Sequence, residues 1–178
     1  MFYYLLGLIV QLYTAALLIR ALLQLVQADF YNPLSQTVFK VCAPVVNPLQ
    51  RIIPSVGRLN LAALVAAITI RWLFYVIVGQ TPLLSLVQAS LGMLFMLADI
   101  YFWGIFILII SSWVGTGTHP MVQVVAQVIE PYLRPFRKII PPIGMIDISP
   151  MVAILVLIMI RDKLLPMLVS ALQPLLLG

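Results

Sequence analysis

Cysteine, histidine and charged residues are all scarce in this chain of 178 residues. Because Cys42 is the single cysteine, the chain has no internal disulfide and no cysteine-based metal cage. The single histidine is His119. Only 8% of the residues are charged, whereas a soluble domain carries about 25%. Hydrophobic residues make up 63% of the chain, and the mean hydropathy is +1.15. Because such a chain lacks the polar residues to cover a water-facing surface, the composition predicts an integral membrane protein.

Long hydrophobic runs predict an all-α fold with four transmembrane helices. A helix needs roughly 20 apolar residues to cross a hydrocarbon core of about 30 Å. The predicted spans are 2–28, 61–78, 90–114 and a fourth that begins at 148. The first run lacks a basic start and a small-residue cleavage site, which favours a retained span over a signal peptide. We expect residues 164–178 either to complete the fourth span or to lie along the outer interface.

The sequence also contains a tandem repeat with a period of 87 residues. Ten of the 28 residues from position 33 to position 60 are identical to the residue 87 positions later. Half of these identities are proline or glycine, the residues that most restrict or free the backbone. The sequence therefore predicts two parallel repeats, residues 1–89 and 90–178, each with a helix, a proline-rich connector and a second helix.

Each connector is predicted to form a short amphipathic helix that lies in the membrane interface. Asn32 and His119 are expected to cap the two helices, each followed by a proline at the first helical position. The next proline is expected to end each helix, near Ala43 and Glu130, because the residue before a proline avoids the α conformation. The alternative is a loop helix packed on other loops.

The distribution of basic residues predicts the orientation of the chain. Six of the ten lysines and arginines lie in the connectors, and none lies in residues 79–89. The positive-inside rule therefore places both connectors in the cytoplasm and both termini outside, and it explains the net charge of +5 without nucleic-acid binding. The residues expected to contact anionic lipid or a membrane-protein partner are Arg51, Arg134, Arg137, Lys138 and Asp147.

Ionisable residues inside the apolar runs form a candidate intramembrane site. They are Arg20, Arg71, Asp99 and the triplet at 161–163. At 1.5 Å per residue, Arg71 and Asp99 both fall near the midplane, on helices joined by a short loop. We therefore expect them to form an ion pair that locks the second span to the third, although intramembrane charges also mark ion pathways.

The second connector resembles the signature of the YggT family of small integral membrane proteins. The similarity is fullest in residues 130–150, and residues 29–33 and 44–57 match in the first repeat. Gln50 replaces a basic residue, and Asn60-Leu61-Ala62 replaces an Asp-x-Ser signature. The resemblance implies a multi-pass protein of the inner membrane associated with osmotic or envelope stress tolerance. Single-repeat relatives in plastids and cyanobacteria are linked to cytochrome b–f maturation or membrane organisation, and no agreed reaction attaches to the family.

Two functions of different class follow from these observations. No residue pattern indicates catalysis or a cofactor, since Ser111-Ser112 has no partner base and no metal-ligand spacing occurs. The first function is a non-enzymatic scaffold or assembly factor that contributes to osmotic or envelope stress tolerance. The alternative is a component of a small-cation channel or transporter, which would require a homo-oligomer because four spans are few for transport.

Overall fold

The structure, a computed structural model, describes residues 1–140 and 147–177, with side chains up to residue 172. All regular secondary structure in these ranges is helical, which confirms the predicted all-α fold. The helices are α1 (Phe2–Leu25), α2 (Pro33–Gln50), α3 (Leu61–Ile77), α4 (Pro82–Val114), α5 (Pro120–Ile139), α6 (Ser149–Met159) and α7 (Leu165–Leu177), with a π-helical segment (Ile160–Leu164) between the last two.

Helices α1 and α4 are long and apolar enough to cross a membrane, with 24 and 33 residues. Helix α3 is also apolar but has 17 residues. Helix α4 begins at Pro82 rather than at residue 90 as predicted, because proline is pre-organised for the first helical position. At about 1.5 Å per residue, α4 is about 50 Å long and exceeds the hydrocarbon core of a bilayer.

The prediction that the connector helices end at their first internal proline is wrong. Helix α2 continues through Pro44 to Gln50, and α5 continues through Pro131 to Ile139. An internal proline costs about 3 kcal/mol because it removes a hydrogen bond and crowds the preceding turn. Burial on both sides of each proline offsets this cost. The buried residues are Val38, Cys42 and Val46 in α2, and Val124, Val128, Ile129 and Leu133 in α5.

The C-terminal stretch continues the helix that begins at Ser149. The π segment keeps right-handed helical backbone angles from α6 into α7, and both of these helices pack against α4. Residues 164–177 are helical and continuous with α6 through the π segment. A π turn inserts an extra residue into a helix and changes the direction of the side chains around it.

The helices pack as two sets of three, α1 to α3 and α4 to α6. Helix α1 contacts α2 and α3, and α4 contacts α5 and α6. Helices α3 and α4 join the sets, and α2 contacts α5. The approach of α4 to α5 depends on Gly104, where an added Cβ would lie 2.5 Å from Cδ1 of the buried Ile129.

Candidate functional site

The two connector helices are hydrogen-bonded to each other. The side-chain amide of Asn32 donates to the carbonyl oxygen of Pro120 (2.7 Å). The backbone N–H of Asp29 donates to Oε1 of Gln127 (3.0 Å). Asn32 is 5% exposed, so its bond is shielded from water. We call α2 and α5, joined by these bonds, the connector platform.

Both predicted helix caps of the platform are confirmed. Oδ1 of Asn32 accepts a hydrogen bond from the backbone N–H of Leu34 (3.0 Å). Nδ1 of His119 accepts one from the backbone N–H of Met121 (3.3 Å). Each cap satisfies a helix N-terminal donor that has no partner within its own helix. Asn32 therefore both caps α2 and holds α5.

An ionic network closes the end of the second connector. The guanidinium of Arg137 donates to the carboxylates of Glu130 and Asp147, and its Nε lies 2.9 Å from Oδ2 of Asp147. Oδ1 of Asp147 also accepts from the backbone N–H of Ser149 (2.9 Å), at the start of α6. Partial burial raises the pKa of Asp147, but hydrogen bonds from Ser149 and Arg137 outweigh it and hold this pKa below its usual value. Asp147 is thus ionised at neutral pH and fixes α5 to α6.

The corresponding positions of the first connector carry no such network. The residues 87 positions before Glu130, Arg137 and Asp147 are Ala43, Gln50 and Asn60, all of them neutral. Asn60 is fully buried and keeps the capping role, because its Oδ1 accepts from the backbone N–H of Ala63 (3.0 Å). Its amide donates to Oε1 of Gln24 (2.8 Å) instead of facing a cation. Gln50 and Asn60 thus stand at the positions that correspond to the two bonded partners Arg137 and Asp147.

The other predicted contact residues of the connectors lie on the surface. Arg51 follows α2, and Arg134 and Lys138 project from α5, all three exposed. Within residues 1–140 and 147–177, none of them has a carboxylate within 4 Å. Arg137 and Asp147 differ from these residues because they are bound to each other. Of the predicted cations, Arg51, Arg134 and Lys138 therefore keep their positive charge available to a ligand.

Arg20 connects α1 to the platform. It is 5% exposed, donates to the carbonyl oxygen of Phe39 (3.2 Å) and to Oδ1 of Asn47 (3.1 Å), and lies over the Phe39 ring. These contacts hold α1 against α2 within the platform.

The predicted ion pair between Arg71 and Asp99 does not match the structure. Oδ1 of Asp99 lies 3.0 Å from Nε of Arg161, in the π segment. Arg71 packs instead against Gly92, which precedes Asp99 by seven residues, or about 10 Å along a helix. The prediction takes residue 90 as the start of the third span, whereas α4 starts at Pro82. The earlier start places Asp99 further from the outer end of its helix than predicted, and therefore away from the level of Arg71.

Arg71 has no acidic partner within 4 Å in the described part of the chain. Its Nη2 donates to the hydroxyl of Tyr75 (3.2 Å), and its Nε is buried without a partner. An added Cβ at Gly92 would lie 2.5 Å from Nη2, so the guanidinium lies against the backbone of α4 where a larger residue would displace it. The arginine is therefore closely packed but electrostatically unbalanced.

Two cavities meet at Arg71. The terminal cavity, about 700 Å³, lies at the bundle end opposite the connectors, where the start of α1 meets the end of α3. The inter-repeat cavity, about 550 Å³, lies between α1, α2, α4 and α5 and is lined by Asp99 and many apolar side chains. Gln11 and Arg71 line both cavities. Helices α1, α2, α4 and α5 thus line a half-open, mostly apolar space, and Arg71, which has no carboxylate within 4 Å among the described residues, lies at one end of it.

No group of three or more residues suited to hold a metal ion occurs among the residues that the structure describes. Ser111, considered as a nucleophile, donates its hydroxyl to the carbonyl oxygen of Leu108 (2.9 Å) within α4. Ser149 similarly donates to the carbonyl oxygen of Ile140 (3.0 Å). These hydroxyls stabilise helix ends and turns in the observed geometry.

Sequence reasoning missed the contacts between elements distant in sequence. The bonds from Asn32 to Pro120 and from Asp29 to Gln127 have no short-range signal. The 87-residue repeat was the available clue, because equivalent connectors at the same end of a bundle are brought close together. The position of Arg71 against Gly92 had a weaker signal, a glycine inside a long helical run.

Comparison of the sequence with known proteins identifies a family and several relatives. The CCB3/YggT family description matches residues 1–81 and again residues 87–168. The "Uncharacterized protein YggT" of Escherichia coli strain K12 is 36% identical over 161 residues, covering 89% of this chain and 86% of the relative. An uncharacterized protein of Pseudomonas aeruginosa is 39% identical over 175 residues, covering 93% and 86%. An uncharacterized protein of Vibrio alginolyticus is 38% identical over 164 residues, covering 84% and 85%.

No solved structure matches the chain. The resemblance stated from residues 130–150 is confirmed over most of the sequence by these relatives. The chain belongs to the CCB3/YggT family.

Proposed function

We propose that the chain is a non-enzymatic scaffold of the inner membrane, with four spans in two tandem repeats, 1–89 and 90–178. Its connector platform recruits anionic lipid or a membrane-protein partner on the cytoplasmic face, and this role contributes to osmotic or envelope stress tolerance. The observation that carries the proposal is the direct bonding of α2 to α5 through Asn32 and Asp29. Such bonding makes one rigid surface from two connectors.

Three features support the two-repeat arrangement. The family description matches each half of the chain separately. The caps at Asn32 and His119 are equivalent in position and geometry. Helix α6, the π segment and α7 form a continuous helix from Ser149 to Leu177, which is long enough for a span.

The charge of the platform supports an anionic ligand. Arg51, Arg134 and Lys138 are exposed and have no carboxylate within 4 Å among the described residues. A basic amphipathic helix at a membrane interface attracts anionic lipid and acidic protein surfaces. Arg137 is excluded from this role because Glu130 and Asp147 already bind it.

Neutralising Arg134 and Lys138 together is expected to weaken the enrichment of phosphatidylglycerol around the protein in mixed-lipid nanodiscs. Each exposed cation near the surface contributes about 1 kcal/mol, so the double variant Arg134→Gln/Lys138→Gln loses about 2 kcal/mol, or about thirtyfold, at low salt. Lys163→Gln is the control, because it removes an exposed cation outside the platform. Equal enrichment around the unsubstituted protein, the double variant and Lys163→Gln would mean that Arg134 and Lys138 bind a protein partner or set the membrane orientation instead.

The connectors are expected to face the cytoplasm. A cysteine placed at the exposed Ser55 should react with membrane-permeant maleimide but not with an impermeant one added from outside. A cysteine at Thr81, between the repeats, should react with both. Cys42 is fully buried, and burial raises the pKa of its thiol, so the unsubstituted chain serves as an unlabelled control. Labelling of Ser55→Cys from outside would invert the proposed orientation.

The inter-repeat cavity favours the alternative function, a component of a small-cation pathway, because Asp99 lines it. The carboxylate of Asp99 is paired with Arg161, and the cavity wall also carries the positive charge of Arg71. These two positive charges oppose the entry of a cation. A flux assay with purified protein in liposomes separates the two functions. Ion-selective flux that depends on Asp99 would overturn the scaffold proposal.

A further inference from the structure

We propose that Arg71 is the headgroup contact of a specific site for an anionic phospholipid, whose acyl chain occupies the inter-repeat cavity. The site lies at the bundle end opposite the connector platform, and it is separate from the lipid contact proposed there. This inference rests on the proposed membrane placement of the chain. The evidence is the shape, lining and charge of the two cavities that meet at Arg71.

The terminal cavity has the lining of a headgroup site. Tyr3, Tyr4 and Tyr75 line it, and Gln11 and Arg71 separate it from the inter-repeat cavity. Tyrosine is enriched at the membrane interface, where its ring contacts acyl chains and its hydroxyl contacts headgroups. The cavity opens near the start of α1 and the end of α3, where an interface is expected. Its volume of about 700 Å³ is within the range of small-molecule sites, about 300–1,000 Å³.

Arg71 requires an anion in an apolar setting. Among the described residues no carboxylate lies within 4 Å of it, and its observed hydrogen bond goes to the neutral Tyr75. An unpaired guanidinium within a membrane helix is costly, and such residues generally pair with an opposite charge. A phosphate group fits the planar guanidinium with two parallel hydrogen bonds. Gly92 leaves the guanidinium the space to sit at the junction of the cavities.

The inter-repeat cavity has the lining of an acyl-chain site. From Arg71 it extends past Ala15 and Phe95 to Leu34 on α2 and Val124 on α5. Apart from Arg71, the charged residue along this path is Asp99. Its charge is balanced by Arg161 at 3.0 Å. A lipid with its phosphate at Arg71 would therefore place its chain among apolar side chains of both repeats.

The charge balance selects an anionic lipid over a cation. Of the two charged residues that line the cavities, Asp99 is paired with Arg161, which also lies 3.9 Å from Asp162, whereas Arg71 has no carboxylate within 4 Å among the described residues. A lipid with a single net negative charge neutralises Arg71. A small soluble anion would satisfy Arg71 but would leave the apolar cavity below it unfilled.

The test is the number and affinity of lipids retained by the detergent-purified protein, measured by native mass spectrometry during titration with phosphatidylglycerol or phosphatidylcholine. We expect one tightly retained phosphatidylglycerol in the unsubstituted protein. Arg71→Gln should weaken it about tenfold or more, because a charged group's hydrogen bonds are lost. Ala15→Phe, which fills the acyl-chain cavity and keeps every charge, should weaken it as well. Thermal unfolding verifies that each variant is folded.

Lys163→Gln is the matched control, since it removes an exposed cation that lines neither cavity and lies outside the connector platform. Loss of retention in Arg71→Gln with retention in Lys163→Gln supports the site even if the platform proposal fails. Equal retention in the unsubstituted protein and in either cavity variant would overturn the inference. Displacement of phosphatidylglycerol by inorganic phosphate at a similar concentration would also overturn the inference, because the acyl chain would then contribute nothing to the affinity.

Discussion

Asp99→Asn should be among the most destabilising single substitutions in this protein, because it removes the carboxylate 3.0 Å from Arg161 and leaves Asp162, at 3.9 Å, as the remaining acidic neighbour. Removing one partner of a buried ion pair costs 3–5 kcal/mol. Here the two side chains are 38% and 41% exposed in the isolated chain, so we expect about 2 kcal/mol. The measurement is thermal unfolding in detergent. The double variant Asp99→Asn/Arg161→Gln should recover part of the loss, because no isolated charge is left.

The matched comparison is Asp99→Asn/Arg71→Gln. The guanidinium of Arg71 lies beside Gly92, about two turns from Asp99, so the effects of these two substitutions should be additive. Recovery in the Arg71 double variant and additivity in the Arg161 double variant would show that Asp99 pairs with Arg71 after all.

Asn32→Ala should have a similarly large effect, because Asn32 makes two shielded hydrogen bonds. Loss of the cap of α2 costs about 1 kcal/mol. The carbonyl of Pro120 also loses its donor, and a hydrogen bond of this kind contributes about 1 kcal/mol. We expect a total near 2 kcal/mol, measured as the shift in thermal unfolding in detergent.

Two further variants separate the two roles of Asn32. Asn32→Asp keeps a capping oxygen but has no amide donor for Pro120, so it should lose the part of the stability that comes from the contact between connectors. His119→Ala removes only the cap of α5 and should cost about 1 kcal/mol. If Asn32→Asp unfolds at the same temperature as the unsubstituted protein, the bond to Pro120 contributes nothing to stability.

The sequence was sufficient for features governed by local chemistry. Apolar runs predicted the all-α fold, and Asn32 and His119 were identified as caps from their position before a proline. The family was recognisable from residues 130–150. The helix ends were less predictable, because the local rule for Pro44 and Pro131 was outweighed by burial of side chains beyond each proline.

Partner choice between helices could not be read from the chain. The position of Asp99 depends on where α4 starts, and a shift from residue 90 to Pro82 changes which arginine it reaches. The π segment at Arg161 also changes side-chain direction, and hydrophobic periodicity does not reveal it. The charges were identified correctly, but their pairing depended on tertiary geometry.

The joined connectors are the central claim, and cross-linking between Asp29 and Gln127 tests it most directly. The two residues are exposed and lie within hydrogen-bonding distance, 3.0 Å from N to Oε1. In native membranes, the variant Asp29→Cys/Gln127→Cys should form an intramolecular product with a short thiol cross-linker. The control Thr81→Cys/Gln127→Cys should not, because α5 packs on α4 near Gly104, which lies 23 residues, or roughly 35 Å, along α4 from Thr81. Equal yields from the two pairs, or no product from the Asp29 pair, would contradict the account.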